Sequence, residues 1–376
     1  MLTRERPGQP QLIPWTSIRE RIVERPPMTK SFADGLDSPC GGCTTASCCT
    51  HVPLSTFKVN NIVDLDHARY LLNFDRILLG IASNGDWSVY YVHPCSKLNR
   101  DDLSCTVHGT SDQPQICAKY NPYNCWYQRV FSRSVSEEFL QLDRPRFEWL
   151  ADQITFDEER NIAGVPEWPA MMAAMVEMVD TPPPVAPEAP VTDAAAEGWR
   201  QAVLNAARPE DEIPLYSFDQ SISPCASCAA YCCETLVFPQ SPPGSVASFD
   251  YYRFCMGFPG LELGVAADGT WSIVVKARCR HLEGNRCGIY GKKERPLVCT
   301  YYDEWVCNYR PRFGQARPEG YLRLKLEHWK WLTECFQFDQ FGEIAKFPSF
   351  AEIRSHIEDS WRSALVAGRE AGATNR

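Results

Sequence analysis

Cysteine is the residue type whose spacing in this sequence could support chemistry. The stretch from Cys225 to Cys307 reads C-x2-C-x3-C-C, then 45 residues, then C-x7-C-x11-C-x7-C. A closely similar pattern occurs earlier, from Cys40 to Cys125. Thiolates are soft, anionic ligands, and a tetrahedral set of sulfurs selects zinc or an iron–sulfur cluster. The spacing therefore predicts that each copy of the pattern binds metal.

Sixteen of the 18 cysteines belong to the doubled pattern. The predicted metal ligands are Cys40, Cys43, Cys48, Cys49, Cys95, Cys105, Cys117 and Cys125 in the first copy, and Cys225, Cys228, Cys232, Cys233, Cys279, Cys287, Cys299 and Cys307 in the second. A C-x2-C turn can hold one metal with two thiolates from a single loop, and a later pair is expected to complete the tetrahedron. Neighbours such as Cys232 and Cys233 are expected to point apart. One cluster with spare thiols, or two metals, could therefore occupy each copy.

Two further groups of possible ligands are weaker candidates. The histidines nearest the first-copy cysteines do not recur, because His51, His93 and His108 align with Thr235, Ala277 and Tyr290. Histidine is therefore not a required ligand. The two cysteines outside the pattern, Cys255 and Cys335, are predicted to be small buried hydrophobic residues.

Composition is typical of a globular protein. The chain has 376 residues, of which 44% are hydrophobic and 12% aromatic, enough for two or three domains. The opening residues MLTRERPGQPQLIPW lack the apolar segment of a secretion signal, so we expect a cytoplasmic protein with reduced thiols. In that setting, spaced cysteines are more often metal ligands than disulfides.

Two classes of partner are not expected. The most apolar helical run, residues 168–179, is too short to span a bilayer and contains Glu177. The net charge is −9, and no run of Lys and Arg offers a stripe that could neutralise phosphates. The expected partners are therefore metal ions, with no nucleic acid and no membrane, while a protein partner or substrate is not identified.

The cysteine pattern is part of a longer internal repeat. Residues between Cys48 and Cys95 recur 184 positions later without a gap, and residues after Cys105 recur 182 positions later. Among the recurring residues are Asp66, Arg69, Gly80, Trp87 and Trp149, which return as Asp250, Arg253, Gly264, Trp271 and Trp331. The predicted organisation is a first repeat over 15–181, a Pro/Ala linker over 182–198, and a second repeat over 199–370.

Each repeat is predicted to be a small α+β unit. Lead-in helices are expected over 15–24 and 199–207, and Asn61 is expected to begin a helix over 61–73. Turns containing Gly85 and Gly269 predict hairpins whose second strands are 87–92 and 271–276. The fold class is therefore α+β, with two tandem copies of a small cysteine-rich metal-binding domain.

The closing helix of each repeat carries large apolar side chains that need to be covered. They are Trp168, Met171, Met175 and Val179 in the first repeat, and Phe350, Ile353, Ile357 and Trp361 in the second. These residues predict a seam that joins the repeats as a pseudo-symmetric pair, with separate metal centres and any substrate groove between the repeats. The recurring Trp87 and Trp271 are predicted to lie in the core. The recurring acidic residues Asp66, Asp250, Asp157 and Asp339 are predicted to cap helices.

The order and spacing of the cysteines resemble the YkgJ family, whose shared region is described as a zinc- or iron-chelating domain. In the second copy the resemblance rests on three segments, which are Cys279-Arg280-His281-Leu282, Cys287-Gly288-Ile289-Tyr290 and Arg295-Pro296-Leu297-Val298-Cys299. The first copy departs from the pattern at Val107-His108 and at Gln113, which replaces Arg295. Arg295-Pro296 could orient a cluster sulfur or simply form a rigid turn.

Because both repeats keep all eight cysteines, we expect one metal centre per repeat, either zinc or an iron–sulfur cluster such as a 4Fe-4S cluster. A more distant resemblance to the flagellin lysine N-methylase implies an alternative, an iron–sulfur enzyme that methylates lysine with S-adenosylmethionine. A third possibility is a zinc-stabilised structural or interaction protein. No catalytic residue and no S-adenosylmethionine-binding residue is identified. A metal-chelating protein is the simplest of these interpretations.

Overall fold

The computed structural model describes residues 13–14, 43–180, 225, 228–315 and 318–359. We refer to residues 43–180 as the N-terminal half and to residues 225–359 as the C-terminal half. Cys40, Trp361, the predicted linker and both predicted lead-in helices lie outside the described residues. Among the residues that are described, no helix combines the length and the apolarity needed to cross a membrane.

The first part of the chain contains seven strands and five helices among its described residues. The strands are β1 (Ile13–Pro14), β2 (His51–Phe57), β3 (Ile77–Ala82), β4 (Trp87–Val92), β5 (Phe139–Leu142), β6 (Thr155–Phe156) and β7 (Ile162–Gly164). The helices are α1 (Ile62–Leu71), α2 (Gln115–Ala118), α3 (Trp126–Phe131), α4 (Arg144–Gln153) and α5 (Trp168–Val176).

The C-terminal half follows a similar order of elements. Its strands are β8 (Thr235–Gln240), β9 (Leu261–Ala266), β10 (Trp271–Lys276), β11 (Leu282–Glu283), β12 (Arg286–Cys287), β13 (Tyr321–Leu324), β14 (Gln337–Phe338) and β15 (Ile344–Lys346). Its helices are α6 (Tyr231–Glu234), α7 (Val246–Met256), α8 (Leu297–Thr300), α9 (Tyr309–Phe313), α10 (Trp329–Glu334) and α11, which covers the described residues 350–359.

Each half is organised around an antiparallel sheet of four strands. The order is β2-β4-β3-β5 in the N-terminal half and β8-β10-β9-β13 in the C-terminal half, so the strands occur in the same sequence order in both. The remaining strands form small sheets, of which β1-β14-β15 joins residues near the start of the chain to the C-terminal half. The architecture is thus mixed, with helices and several small sheets, as expected for an α+β protein.

A glycine in each sheet makes room for an aromatic ring from the edge strand. The Phe139 ring of β5 occupies the place where a Cβ atom on Gly80 would lie, and the Tyr321 ring of β13 does the same at Gly264. Any larger residue at either glycine would overlap the ring. This close approach explains why a glycine stands in the middle of β3 and of β9, where glycine normally weakens a strand.

The two central strands of each four-stranded sheet are buried on both faces. One face contributes to a hydrophobic core that contains side chains from both halves, including the predicted core residues Trp87 and Trp271, which are 4% and 0% exposed. The other face is covered by the helix that follows the last cysteine of each pattern, through Phe131 in α3 and Phe313 in α9. Burial on both sides accounts for the nearly continuous apolar sequences of β3 and β9.

The two halves meet along backbone segments that follow α1 and α7. The Arg280 N–H donates to the Asn73 carbonyl at 2.8 Å, and the Ser96 N–H donates to the Gly257 carbonyl at 2.9 Å. The two bonds join equivalent positions, because Asn73 aligns with Gly257 and Ser96 with Arg280. Contact between the halves is therefore reciprocal.

Among the described residues, the hydrogen bonds of the closing helices lie within their own halves. Val179 is 86% exposed, and Trp168 Nε1 donates to the Glu137 carbonyl within its own half at 2.9 Å. In α11, Arg354 donates to the Glu319 carbonyl, also within its own half, at 2.7 Å. Met171, Met175, Ile353 and Ile357 are buried as predicted. Hydrogen bonds between the halves come mainly from the regions of α1 and α7, and Gln240 of β8 also donates to the Leu54 carbonyl of β2 at 3.1 Å.

Candidate metal centre

Each half brings its cysteines to the end of its central strand. Cys49 lies in a short 3-10 turn before β2, and Cys95 follows β4, with the Cys95 N–H donating to the Cys49 carbonyl at 2.8 Å. The C-terminal half repeats this bond between Cys279 and Cys233 at 2.7 Å. Because β2 and β8 pair directly with β4 and β10, cysteines that are far apart in the sequence come together at the same end of each sheet.

The turn that carries the adjacent cysteines has an unusual backbone conformation. Ala46 and Ala230, which precede it in the two halves, have φ angles of 45° and 57° and are both buried. The left-handed region is unfavourable for alanine. The left-handed conformation occurs at equivalent positions in the two halves. In each half it bends the chain just before the adjacent cysteines, which lie near the end of the central strand.

Five thiols in each half are close enough to affect one another's ionisation. They are Cys48, Cys49, Cys95, Cys105 and Cys117 in the N-terminal half, and Cys232, Cys233, Cys279, Cys287 and Cys299 in the C-terminal half. Burial raises the pKa of Cys117, and the neighbouring thiolates of Cys48 and Cys95 raise it further. Burial likewise raises the pKa of Cys279 to about 12. A metal cation would favour the charged forms of these same thiols.

Adjacent cysteines lie close together, contrary to the prediction that they point apart. The Sγ atoms of Cys48 and Cys49 are 3.9 Å from each other, and those of Cys232 and Cys233 are 4.0 Å apart. A Zn–S bond of about 2.3 Å places two sulfurs of a tetrahedron about 3.8 Å apart. The adjacent thiols are thus spaced for a shared ion. Hydrogen bonds from the Cys49 and Cys233 thiols lower the pKa of Cys48 and of Cys232 to about 7.

The thiols do not form a complete coordination shell. Within residues 13–14, 43–180, 225, 228–315 and 318–359, no group of three or more Cys, His, Asp or Glu side chains is arranged to enclose a metal. The donor type and the spacing of the adjacent sulfurs fit zinc or an iron–sulfur cluster, whereas the remaining thiols would have to move inward. Cys40 lies outside the described residues, so the N-terminal set of eight is described in part.

The last cysteine of each pattern lies near the start of a helix, with Cys125 as the N-cap of α3 and Cys307 two residues before α9. Cys125 Sγ accepts a hydrogen bond from the Gln128 N–H, and Cys307 Sγ accepts one from the Arg310 N–H, both at 3.4 Å. The Tyr302 hydroxyl also donates to Cys307 Sγ at 3.4 Å. These contacts give Cys125 and Cys307 a structural role, so they are weaker candidates for ligation than the five central thiols.

The C-x2-C pairs stand at the margin of the described structure. Cys43 Sγ accepts a hydrogen bond from the Ala46 N–H at 3.3 Å, and the Cys228 N–H donates to the Cys225 carbonyl at 3.1 Å. Cys43, Cys225 and Cys228 are all partly exposed.

Arg295 introduces a difference in charge between the cysteine groups of the two halves. Its guanidinium lies 4.1 Å above the Tyr290 ring. Burial raises the pKa of Cys299, and the Arg295 charge opposes that rise. Pro296 is the N-cap of α8, so Arg295 influences the thiols while Pro296 begins the helix. The N-terminal half has Gln113 in place of Arg295 and lacks this charge.

The remaining candidates have other roles. The His51 ring stacks on Phe131 at 4.2 Å, and burial lowers its pKa to about 4, as expected for a packed residue. Cys255 is buried as predicted, whereas Cys335 is only half-buried. Asp157 and Asp339 accept hydrogen bonds in the turns of the β6–β7 and β14–β15 hairpins, so the prediction that they cap helices is wrong.

The recurrence of Asp66 and Asp250 is visible in the sequence, but the residues that they contact are not. Asp66 lies in the interior of α1 and accepts a hydrogen bond from the first N–H of α8, in the opposite half. It therefore caps a helix, although not its own.

Comparison of the chain with models of protein families, with curated proteins and with solved structures gave no match.

Proposed function

We propose that this protein chelates metal through two cysteine centres, one in each half, and that the two halves are tandem copies forming a pseudo-symmetric pair. The observation that carries the proposal is the gathering of five thiols from separate segments in each half at equivalent positions. Buried structural thiols have no need to approach one another, and repulsion between their charged forms disfavours it. A bound cation gives such an arrangement a physical reason.

Metal binding is expected to complete each centre rather than to fill a rigid cage. Structural zinc and iron–sulfur sites commonly form as the ligands lose their protons and the chain folds around the metal. The adjacent thiols, about as far apart as two ligands of one ion, are a plausible starting pair. The thiols of Cys95, Cys117, Cys279 and Cys299, together with those of the C-x2-C pairs, would then complete the coordination of one or two ions in each half.

Elemental analysis of protein purified without oxygen tests the proposal. We expect zinc, or iron with acid-labile sulfide, in two equal portions per chain. An iron–sulfur protein would be brown and would absorb in the visible range, whereas a zinc protein would be colourless. A protein that contained no metal, and that took up neither zinc nor iron after reduction, would contradict the proposal.

A further inference from the structure

A buried aspartate in the N-terminal half holds a cysteine-bearing helix of the C-terminal half. Asp66 Oδ2 accepts a hydrogen bond from the Leu297 N–H at 2.5 Å. Leu297 is the first residue of α8, and Cys299 lies two positions later in that helix. Asp66 is 0% exposed, so water does not compete for its carboxylate.

The C-terminal half returns the same contact. Asp250, also 0% exposed, accepts a hydrogen bond through Oδ2 from the Gln115 N–H at 2.5 Å. Gln115 is the first residue of α2, which carries Cys117. The alignment of the halves matches Asp66 with Asp250 and Gln115 with Leu297. The two contacts are therefore equivalent, and they cross between the halves in opposite directions.

An arginine one turn along each helix completes the arrangement. Arg69 Nη2 donates to Asp66 Oδ1 at 3.0 Å and to the Glu294 carbonyl at 3.1 Å. Arg253 forms an ion pair with Asp250 at 2.6 Å and donates to the Gln113 carbonyl at 3.1 Å. Each guanidinium thus neutralises a buried carboxylate and also holds the chain just before the opposite cysteine helix.

These contacts determine where the helices lie, because α2 and α8 cannot hold themselves in place. Each has four residues, fewer than an isolated helix needs for stability. The carboxylate accepts the first N–H, which has no partner inside the helix, and a charged acceptor makes this bond stronger than a neutral one. Loss of the charge would leave a buried guanidinium uncompensated.

We propose that Asp66 positions Cys299 and that Asp250 positions Cys117, so that each half controls a thiol of the other half. For the thiols themselves, the inference stands on the hydrogen bonds just described. The consequence for metal rests on the proposed function. If each half binds metal, loss of Asp66 should weaken metal binding in the C-terminal half and leave metal binding in the N-terminal half unchanged.

The test is alkylation of the full-length, metal-free protein under native conditions, with the rate at each cysteine followed by mass spectrometry. In Asp66→Asn we expect Cys299 to react about tenfold faster than in the unaltered protein, since a charge-assisted bond is lost. Cys117 should remain within about twofold of its original rate. Asp250→Asn should produce the opposite pattern.

Matched variants distinguish positioning from general damage. Asp157→Asn alters another recurring aspartate, which among the described residues bonds within its own hairpin turn, and should leave both rates unchanged. Leu297→Pro removes the N–H that Asp66 accepts while the Asp66–Arg69 pair stays intact, and proline is favoured at the first position of a helix. Leu297→Pro should accelerate the alkylation of Cys299 alone. If Asp66→Asn does not fold, this variant still tests whether the bond to Asp66 positions Cys299.

Equal acceleration of Cys117 and Cys299 in Asp66→Asn, or no acceleration at Cys299 in Leu297→Pro, would overturn the inference. Metal content measured on the same proteins keeps the two proposals apart. If the unaltered protein neither contains nor takes up metal, the proposed function fails, while the alkylation rates still decide whether the aspartates position the thiols.

Discussion

Cys95 donates its backbone N–H to the carbonyl of Cys49 at 2.8 Å, which ties the end of the central strand to the adjacent-cysteine turn. Cys279 and Cys233 form the equivalent bond at 2.7 Å. Both bonds are part of the folded backbone and need no metal. The backbone of the adjacent cysteines and of the cysteine after the central strand is therefore held together in each half without metal.

Removal of the C-x2-C thiols from one half should remove half of the metal. We expect the double variant Cys225→Ser and Cys228→Ser to retain about one of two equivalents, because the N-terminal centre keeps all its ligands. Metal and protein would be quantified by mass spectrometry and amino-acid analysis. Cys335→Ser is the matched control, since Cys335 lies outside the repeated pattern. A full complement of metal in the double variant would exclude this pair as ligands.

Metal affinity should fall as the pH is lowered. Burial raises the pKa of Cys279 to about 12, and it also raises the pKa of Cys117. Both thiols are therefore protonated at neutral pH in the metal-free protein, and a metal must displace their protons. Each displaced proton weakens the apparent affinity about tenfold per unit fall in pH. Competition with a chromophoric chelator at several pH values measures this slope, and a slope of zero would contradict it.

Arg295 should make the thiols of the C-terminal half ionise more readily than they otherwise would. Burial raises the pKa of Cys299, and the guanidinium opposes that effect. In Arg295→Gln we expect Cys299 to become reactive toward alkylating agents only at higher pH. Gln113→Arg places the charge in the other half and should lower the pH at which Cys117 reacts. Unchanged pH profiles in both variants would show that the charge is fully screened.

Trp271 should contribute strongly to stability. It is 0% exposed and packs against Phe336 with ring centroids 6.2 Å apart. Trp271→Ala should cost about 3–5 kcal/mol of unfolding free energy, as large-to-small core substitutions do. Denaturant titration measures the change. Val298→Ala, at a side chain that is 41% exposed, is the control and should change stability by less than about 1 kcal/mol.

The two halves should depend on each other for folding. They share a hydrophobic core and exchange buried hydrogen bonds, so a separated half would expose apolar surface and a buried carboxylate. We expect residues 1–185 and 195–376 to copurify when they are expressed together. Each half expressed alone should melt at a lower temperature than the pair or should aggregate. Two separately stable halves that do not associate would show that the contacts are dispensable.

Local sequence signals predicted the central part of each half well. The helix expected over 61–73 is α1, and Asn61 accepts hydrogen bonds from the Val63 and Asp64 N–H groups as its N-cap. The strands expected over 87–92 and 271–276 are β4 and β10. These elements depend on caps, turns and apolar patterns that lie within a few residues of one another.

Long-range features were less accessible from the sequence. Strands β2 and β8 follow the adjacent cysteines directly and contain Pro53 and Pro239, which obscure the strand pattern. The closing helices are apolar enough to suggest a seam, but apolarity does not specify which surface covers them. The recurrence of Asp66 identified an important residue, whereas its partner lies 231 positions away in the chain.

The contacts of Asp66 and Asp250 run between the halves in opposite directions, and equivalent contacts could form between two shorter chains. Asp66 contacts Leu297 while its counterpart Asp250 contacts the counterpart of Leu297, which is the defining relation of an isologous interface. A polypeptide carrying one copy would leave its carboxylate buried without the N–H it accepts. Two such polypeptides would satisfy each other around a twofold axis, which is the relation that Asp66 and Asp250 show between the two halves here.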